Sequence, residues 1–304
     1  MQENKTITNS TSFALASKVK DYFLLIKFTL SFMVVFSTVI SYLLAPNIRF
    51  DLLQVLLLFA GGMLVTGSAN AVNQLLEKDT DAMMQRTAKR PVASGRMSVN
   101  EAWVFAGITG TAGILIMYSF SAEAAWLSLA SLILYGFIYT PLKKINSIAV
   151  LVGAIPGALP CLIGWVASFG EGNDNSWTGG WIMFAIQFLW QFPHFWAIAW
   201  IAHKDYSKAG FKLLPSDKGP TRFTAVQSVM YSALMIPIGI LPYMYHISGI
   251  TSMWIVLGCN LFMLYASVML LIKMDAGAAR KVMFSSYFYL MIVFLSLYAD
   301  KVKL

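Results

Sequence analysis

Charged side chains are scarce in this chain: Asp, Glu, Lys and Arg together make up only 12% of its 304 residues. Hydrophobic residues make up 58%, and no soluble fold buries that much apolar surface. This composition therefore excludes a soluble globular protein and requires lipid as the solvent, where only helices and closed barrels satisfy the backbone hydrogen-bonding groups. The apolar stretches are long and continuous rather than alternating, so they indicate helices.

Cysteine is scarce as well. The two cysteines, Cys161 and Cys259, lie within apolar stretches and form no metal-binding spacing. The first residues, MQENKTITNSTSFALASKVKDY, lack the basic start and apolar core of a cleavable signal peptide. The net charge of +8 does not indicate a nucleic-acid partner, because membrane proteins collect Lys and Arg in their cytoplasmic loops.

The apolar stretches predict an all-α, polytopic membrane protein with nine transmembrane helices around a central cavity. We expect residues 1–22 to form a cytoplasmic N-terminal segment and 23–304 to form one transmembrane domain. Two connections, 77–101 and 203–222, are long and rich in Lys and Arg, so the positive-inside rule places them and the N terminus on the cytoplasmic side of the inner membrane. The predicted spans lie near 23–44, 52–73, 102–120, 124–140, 148–168, 179–201, 222–245, 250–273 and 282–299.

The most informative stretch, NQLLEKDTDAMMQRTAKRP, follows the second span at 73–91. Four-residue steps put Asn73, Glu77 and Asp81 on one helical face, about 6 Å apart, with Asp79 between them. We call Asn73, Glu77 and Asp81 the row. Their side-chain oxygens are of the kind that Mg²⁺ prefers as ligands. The alternative is a solvated helix end with mixed charges, but acids, an amide and bases are concentrated here in a chain with few charges.

Basic residues just beyond the row suit a phosphate or a diphosphate bridged by that metal. They are Arg86, Lys89 and Arg90. Tyr139, Lys143 and Lys144 lie at the same membrane face, between spans four and five. The two lysines suit either anionic lipid headgroups or the diphosphate, and the sequence leaves both open.

The sixth span contains LWQFPHFWAIAW, in which His194 is an ionisable residue inside a membrane helix. Pro193 should kink the helix. A neutral imidazole beside aromatic walls suits a planar macrocycle, whereas a hydrogen bond within a packed bundle is an equal alternative. Gln187, Gln191 and His194 fall at helical spacing, which predicts a polar stripe facing a cavity that spans two and six share.

The loop after span six, HKDYSKAGFKLLP, offers a second half of the metal–diphosphate site. Its candidates are His203, Lys204 and Asp205, with Asp205 or His203 reaching the metal. A solvated loop helix is the alternative.

In span five, glycines and prolines predict an irregular helix, either for close packing or beside a cavity. Lys27 lies inside span one, and we expect its ammonium to snorkel to the cytoplasmic surface.

Three motifs in this order resemble a known family. The row and the second loop are similar to those of the UbiA-type intramembrane prenyltransferases, which carry Asn-x-x-x-Asp-x-x-x-Asp after span two. NQLLEKDTDAMMQRTAKRP, YTPLKKINSIAVLVGAIPGALPCLIGW and WQFPHFWAIAWIAHKDYSKAGFKLLP together resemble the haem O synthases, or protohaem IX farnesyltransferases. Glu77 replaces the superfamily's first Asp, and IKFTLSF lacks the Pro-Arg pair expected after Lys27.

The resemblance implies a nine-helix bundle whose cavity opens to the membrane. It implies Mg²⁺-dependent transfer of a farnesyl group from farnesyl diphosphate to a vinyl group of haem B, with water added, giving haem O. The partners it implies are membrane lipid, haem A synthase and terminal-oxidase assembly proteins. The catalytic residues it implies are Asn73, Glu77, Asp81, Arg86 and Arg90.

Two alternatives stand beside this interpretation. The first is a prenyltransferase with an aromatic acceptor, as in quinone synthesis, against which the aromatic surroundings of His194 favour a porphyrin. The second is a transporter or haem-binding electron carrier, which also places polar groups at broken helices. That class does not need the cluster of acids, amide and bases at the end of span two.

Overall fold

The structure, a computed structural model, describes residues 17–169, 176–216 and 219–302. Within these residues the chain is all-helical, apart from one isolated bridge between Ser248 and Lys301. The first sixteen residues of the predicted N-terminal segment and residues 217–218 of the second loop lie outside the described part. The predicted boundary at residue 22 falls inside a described helix rather than at its end.

Eight helices are long and apolar enough to cross a membrane, and a bent pair supplies a ninth span among the described residues. The expected nine-span helical architecture is therefore confirmed. The bent pair is α1 (Ser17–Leu25) and α2 (Phe28–Leu44). The other spans are α3 (Leu52–Leu76), α5 (Val99–Tyr118), α6 (Ala122–Ile133) with its extension to Leu142, α8 (Ala149–Val166), α9 (Thr178–Ile201), α11 (Arg222–Met244), α12 (Ile250–Lys273) and α13 (Ala276–Ala299). Short helices are α4 (Lys78–Met83), α7 (Thr140–Leu142) and α10 (His203–Lys208).

The first span is broken rather than straight. The axes of α1 and α2 meet at 51°, and Lys27 at the junction has a left-handed backbone with φ of 49°. Side chains donate to carbonyl groups at the break: Ser31 donates to the Ile26 carbonyl, and Gln74 donates to the Leu25 carbonyl and to the Leu24 carbonyl, which also accepts from the Lys27 N–H at 3.3 Å. These bonds offset the cost of a left-handed non-glycine residue, which is about 1–3 kcal/mol.

The fifth span is one continuous helix, although Pro156 and Pro160 each lack the N–H that a regular helix would use, and both prolines line the cavity described below. Pro156 and Pro160 lie inside α8 without ending it. Pro160 cannot donate to the carbonyl of Pro156, and Ser131 of α6 donates to that carbonyl instead, at 3.3 Å. The small residues of α8 allow close packing, since a Cβ on Gly164 would lie 1.9 Å from the Thr38 carbonyl oxygen.

A π-helical turn, Leu134–Tyr139, joins α6 to α7. The wider turn occurs just before Pro141, which has no N–H to donate to the preceding turn. Thr140 compensates by donating its hydroxyl to the Tyr135 carbonyl at 2.8 Å. The turn sets the register of Tyr135, Tyr139 and Lys143 at the membrane face where α3 ends.

Candidate active site

The predicted row lies at the junction of α3 and α4 and points inward. Asn73, Glu77 and Asp81 are 1%, 3% and 0% exposed. Glu77 ends α3 and precedes α4, but the hydrogen bonds from Glu77 N to Asn73 O and from Asp81 N to Glu77 O keep the helical spacing through the junction. Because each of these buried polar groups needs a partner, their contacts define the site.

Asn73 is the partner of Lys27. The Lys27 ammonium donates to Asn73 Oδ1 at 2.6 Å, and Asn73 Nδ2 donates to the Thr140 hydroxyl at 3.1 Å. The expectation that Lys27 snorkels to the surface is therefore wrong. The break in the first span turns its side chain toward the row, where the amide oxygen and the nearby Tyr135 ring accept the positive charge.

Glu77 forms an ion pair with Lys143, and both side chains are buried. The Lys143 ammonium also lies over the Tyr139 ring, at 4.7 Å from its centroid, and over the Phe211 ring at 5.3 Å. The pair joins the end of span two to the end of span four. Removing either partner would leave a buried charge without compensation.

Asp81 forms an ion pair with Arg90, whose Nη1 lies 2.8 Å from Oδ1 and 2.7 Å from Oδ2. Burial raises the pKa of the Asp81 carboxyl above its usual value, and the charge of Arg90 opposes that rise. Thr87 donates to the Asp81 carbonyl at 2.9 Å, which fixes the turn that returns Arg90 to the acid. Each member of the row thus contacts a cation from a different segment.

The second loop covers the first through residues that the sequence did not single out. Arg86 Nη2 donates to the Tyr206 hydroxyl at 3.0 Å, and its guanidinium lies over the Tyr206 ring. Phe211 packs beside Tyr206 and over Lys143, and the Lys212 N–H donates to the Lys143 carbonyl at 2.7 Å. The loop therefore caps the row with aromatic rings rather than with further acids.

Several predicted site residues lie apart from the row. Asp79, Lys89, Lys144 and Lys204 are exposed, and Asp205 and His203 are partly exposed on α10. Among the described residues, no three Asp, Glu, His or Cys side chains are grouped closely enough to hold a metal ion. Asp79 and Asp205 therefore do not complete a group of three with Glu77 and Asp81 in this structure.

The donor set that remains still fits Mg²⁺ bound together with a phosphate ligand. Mg²⁺ keeps several waters and is usually held by one or two carboxylates plus substrate phosphates, rather than by an all-protein cage. Glu77 and Asp81 supply two buried carboxylates, and Asn73 supplies an amide oxygen. All three side chains contact a cation, namely Lys27, Lys143 or Arg90, and these cations are also suited to bind the oxygens of a phosphate.

A small, mostly apolar cavity of about 90 Å³ lies inside the bundle, and the row is linked to it through Lys27, whose ammonium lies 3.5 Å from the hydroxyl of the lining residue Tyr135. Its polar end includes Asn70 and Tyr135, which are joined by a hydrogen bond of 3.4 Å beside Lys27. Its walls come from spans one to five, and no described residue of α9 lines it. The prediction that spans two and six share a cavity is therefore wrong for this cavity.

The polar stripe of span six faces two other helices. Gln187 donates to the Gly157 carbonyl at 2.7 Å and Gln191 to the Ala154 carbonyl at 3.0 Å, so both amides bind the backbone of α8. His194 Nδ1 lies 2.7 Å from the Ser286 hydroxyl of α13. The Trp190 ring stacks on the imidazole at 4.8 Å, which leaves His194 in an aromatic pocket between α9 and α13.

Sequence reasoning missed two kinds of residue at this site. Asn70 and Gln74 belong to the apolar span that carries the row, and their amides in such a span are a usable signal. Tyr135 lies four residues before Tyr139, which places it on the same helical face. Tyr206 and Phe211 gave no comparable signal, because their role depends on how two distant loops fold together.

The chain matches the UbiA prenyltransferase family over residues 34–294. It is 43% identical to a protohaem IX farnesyltransferase of Cytophaga hutchinsonii, over 95% of this chain and all of the relative. Among solved structures, a digeranylgeranylglyceryl phosphate synthase superposes with a TM-score of 0.78 at 22% identity, covering 95% of this chain and 100% of that one. A UbiA homologue from Archaeoglobus fulgidus bound to GPP and Mg²⁺ superposes with a TM-score of 0.67 at 16% identity, covering 91% and 99%.

Proposed function

The chain belongs to the UbiA prenyltransferase family, and from that premise we propose that it transfers a farnesyl group from farnesyl diphosphate to a vinyl group of haem B, with addition of water, giving haem O. The observation that carries the proposal is the buried row with a cation on each member; one of these cations, Lys27, also contacts Tyr135, which lines an apolar cavity. The acceptor follows from the name of the 43% identical relative, which covers nearly the whole chain. Among the described residues, no feature of the site favours a quinone precursor, and the family match leaves the transporter alternative without support.

The chemistry requires help for the leaving group. An allylic diphosphate departs slowly unless the negative charge that grows on its bridging oxygen is stabilised. Lys27, Lys143 and Arg90 converge on the row in a site shielded from water, where fixed cations are worth far more than in bulk solvent. Mg²⁺, when held by Glu77, Asp81 and Asn73, supplies further positive charge to the diphosphate.

The remaining side chains position the substrates. The apolar cavity accepts the prenyl chain, with about 0.8 kcal/mol gained per buried CH₂ as an upper bound. The rings of Tyr206 and Phe211 shield the row from the cytoplasmic side and limit the access of water to the allylic carbon. Shielding matters because the vinyl group is a weak nucleophile that must compete with water.

We place the porphyrin acceptor beside His194. Ser286 engages Nδ1 and so leaves Nε2 for the haem iron, and the described residues give Nε2 no hydrogen-bond partner. A haem-loaded sample should show a change in its visible absorption spectrum when His194 is replaced by Phe. The matched variant Trp190→Phe keeps an aromatic ring beside the imidazole and should retain the spectrum. An unchanged spectrum in His194→Phe would exclude the imidazole as ligand.

The activity itself is tested with membranes that contain the protein, haem B, farnesyl diphosphate and Mg²⁺. Mass spectrometry should detect a hydroxyfarnesyl adduct of haem, and a chelator should abolish it. Glu77→Gln should lower the yield at least about 100-fold, because removal of one such electrostatic contact costs that much in other enzymes. Glu123→Gln, at an exposed position far from the row, is the control. Prenylation of hydroxybenzoate with no haem adduct would contradict the proposal.

We also propose that both long loops and the N-terminal segment 1–22 are cytoplasmic and that the membrane is the inner membrane. The support is the concentration of Arg and Lys at the end of the bundle that carries the row. A cysteine introduced at Ser94, in the first long loop, should react with an impermeant thiol reagent only after the cell is opened. A cysteine at Ser119, at the other end of α5, should react in intact spheroplasts.

A further inference from the structure

A second basic feature lies on the loop side of the row. A pocket of about 450 Å³ is bounded on one side by α1 and on the other by the first long loop. Its lining residues are Ser17, Lys20, Asp21, Leu24, Arg86, Lys89, Arg90 and Arg96. Five of the eight carry a positive charge and Leu24 alone is apolar, so the pocket suits a small, multiply charged anion rather than a hydrocarbon chain.

The charges of this pocket divide into two groups. Arg90 is paired with Asp81, and Arg96 is paired with Asp21 at 2.9 Å. Within the described residues, Lys20, Arg86 and Lys89 have no carboxylate within ion-pair distance. Three cations therefore remain uncompensated around one pocket, where they raise the local concentration of anions.

Arg96 makes the pocket a built feature rather than a chance gathering of exposed side chains. Its Nε donates to Asp21, its Nη1 donates to the Ser94 hydroxyl at 2.8 Å, and its Nη2 donates to the Lys89 carbonyl at 2.8 Å. One guanidinium thus fixes α1 against the loop and holds the backbone of Lys89 at the pocket wall. The distance between the two walls is set by these bonds.

We propose that this pocket is a second phosphate-anion site, which receives the diphosphate as it leaves the reaction site. The proposal rests on the proposed function, because the transfer reaction releases such an anion beside this pocket. Arg90 lies between the two sites: it contacts Asp81 of the row and lines the pocket. Arg86 also lines the pocket while it contacts Tyr206 of the covering loop. The leaving anion can therefore pass from one set of cations to the next without crossing an uncharged gap.

A lipid headgroup carries the same phosphate chemistry, but the lining favours a free anion. A bound phospholipid needs an apolar surface beside the cations for its acyl chains. The one apolar lining residue is Leu24, and the other lining side chains are charged or hydroxylated. The experiment must nevertheless distinguish the two sources.

The test fills the reaction site first. The full-length protein in phosphatidylcholine nanodiscs is saturated with Mg²⁺ and farnesyl thiodiphosphate, an unreactive analogue, and radiolabelled inorganic diphosphate is then titrated. One further equivalent should bind. The double variant Lys20→Gln/Lys89→Gln should weaken that binding about tenfold, the loss expected when two exposed charge contacts are removed together. The control Lys208→Gln/Lys273→Gln removes the same charge from exposed positions outside the pocket and should bind as the parent does.

The proposal is overturned if no diphosphate binds beside the analogue, or if both double variants weaken binding equally. It is also overturned if phosphatidylglycerol in the nanodiscs displaces the diphosphate, since that result would assign the pocket to a lipid headgroup. Equal binding in neutral and anionic nanodiscs supports it. The proposed function fails separately, because it is measured as haem adduct formed. A protein that makes the adduct but binds no second diphosphate contradicts only the pocket.

Discussion

Each residue of the row contacts its own cation, and the three cations are positioned by different local structures. Lys27 comes from a helix break, Lys143 from the residue that follows α7, and Arg90 from a turn held by Thr87. Two of these contacts pair full charges in a buried setting, where a missing partner is costly. The site is therefore held together by the groups that a diphosphate later needs, and substrate binding must exchange these contacts rather than create new ones.

Neighbouring lysines give the sharpest test at this scale. Lys143 is buried against Glu77, whereas Lys144 is exposed. We expect Lys143→Met to lower kcat/KM for farnesyl diphosphate about 100-fold, because it removes a fixed cation from the site of leaving-group charge. Lys144→Met should have a much smaller effect. Steady-state kinetics of haem adduct formation would measure both.

The comparison needs a check on folding, since Lys143→Met leaves Glu77 buried without its ion-pair partner. The double variant Lys143→Met/Glu77→Gln removes that unpaired charge. Its melting temperature should recover while its activity stays low. Equal losses of activity at 143 and 144 would indicate that both lysines act only through general surface charge.

Among the secondary-structure elements, α3 has two functions on adjacent faces. Asn73 belongs to the row, while Asn70 and Gln74 donate to the carbonyls of Ile26, Leu24 and Leu25 at the break in the first span. The same helix therefore holds α1 in place and presents the acids. Since Lys27 lies between α1 and α2, the hydrogen bonds of Gln74 also determine where the Lys27 ammonium points.

Gln74→Leu tests this coupling. We expect it to leave the Leu25 carbonyl without its side-chain donor, to remove one of the two donors to the Leu24 carbonyl, and so to lower the free energy of unfolding by about 1–2 kcal/mol. It should also lower activity by displacing Lys27 from Asn73. Trypsin should cleave at Lys18 and Lys20 faster, because α1 is less firmly held. Gln54→Leu, near the other end of α3, should change neither cleavage nor activity, and an equal response of both variants would contradict the coupling.

The elements also show what the sequence could and could not predict. Nine spans follow from long apolar stretches, and the inward row follows from four-residue spacing, since both are local patterns. The left-handed backbone at Lys27 is not local: IKFTLSF contains no glycine there, and the conformation depends on Ser31, Asn70 and Gln74. The capping by Tyr206 and Phe211 likewise required two loops to meet, which no single stretch of sequence specifies.

On the scale of the whole molecule, the bundle separates three environments. The row and its cations lie at one end, the apolar cavity extends from Asn70 and Tyr135 among spans one to five, and His194 lies between α9 and α13. Small residues and larger ones such as Leu30, Met117 and Tyr135 line the cavity, whose volume is only about 90 Å³. A fifteen-carbon chain must therefore displace side chains or separate helices slightly as it enters, so the depth of the cavity should limit the chain length accepted.

Ser128 provides the test of that limit. It lies buried in the cavity wall on α6, nearly two turns before Tyr135 and thus far from the row. Ser128→Leu should fill the deep end, so kcat/KM should fall about tenfold or more for farnesyl diphosphate and much less for geranyl diphosphate, as expected when a few methylene groups lose their space. Thr111→Leu adds a similar volume on an exposed face of α5 and should preserve the farnesyl preference. A parallel fall for both substrates with an unchanged melting temperature would mean that the prenyl chain lies elsewhere, and the cavity would then lose its assigned role.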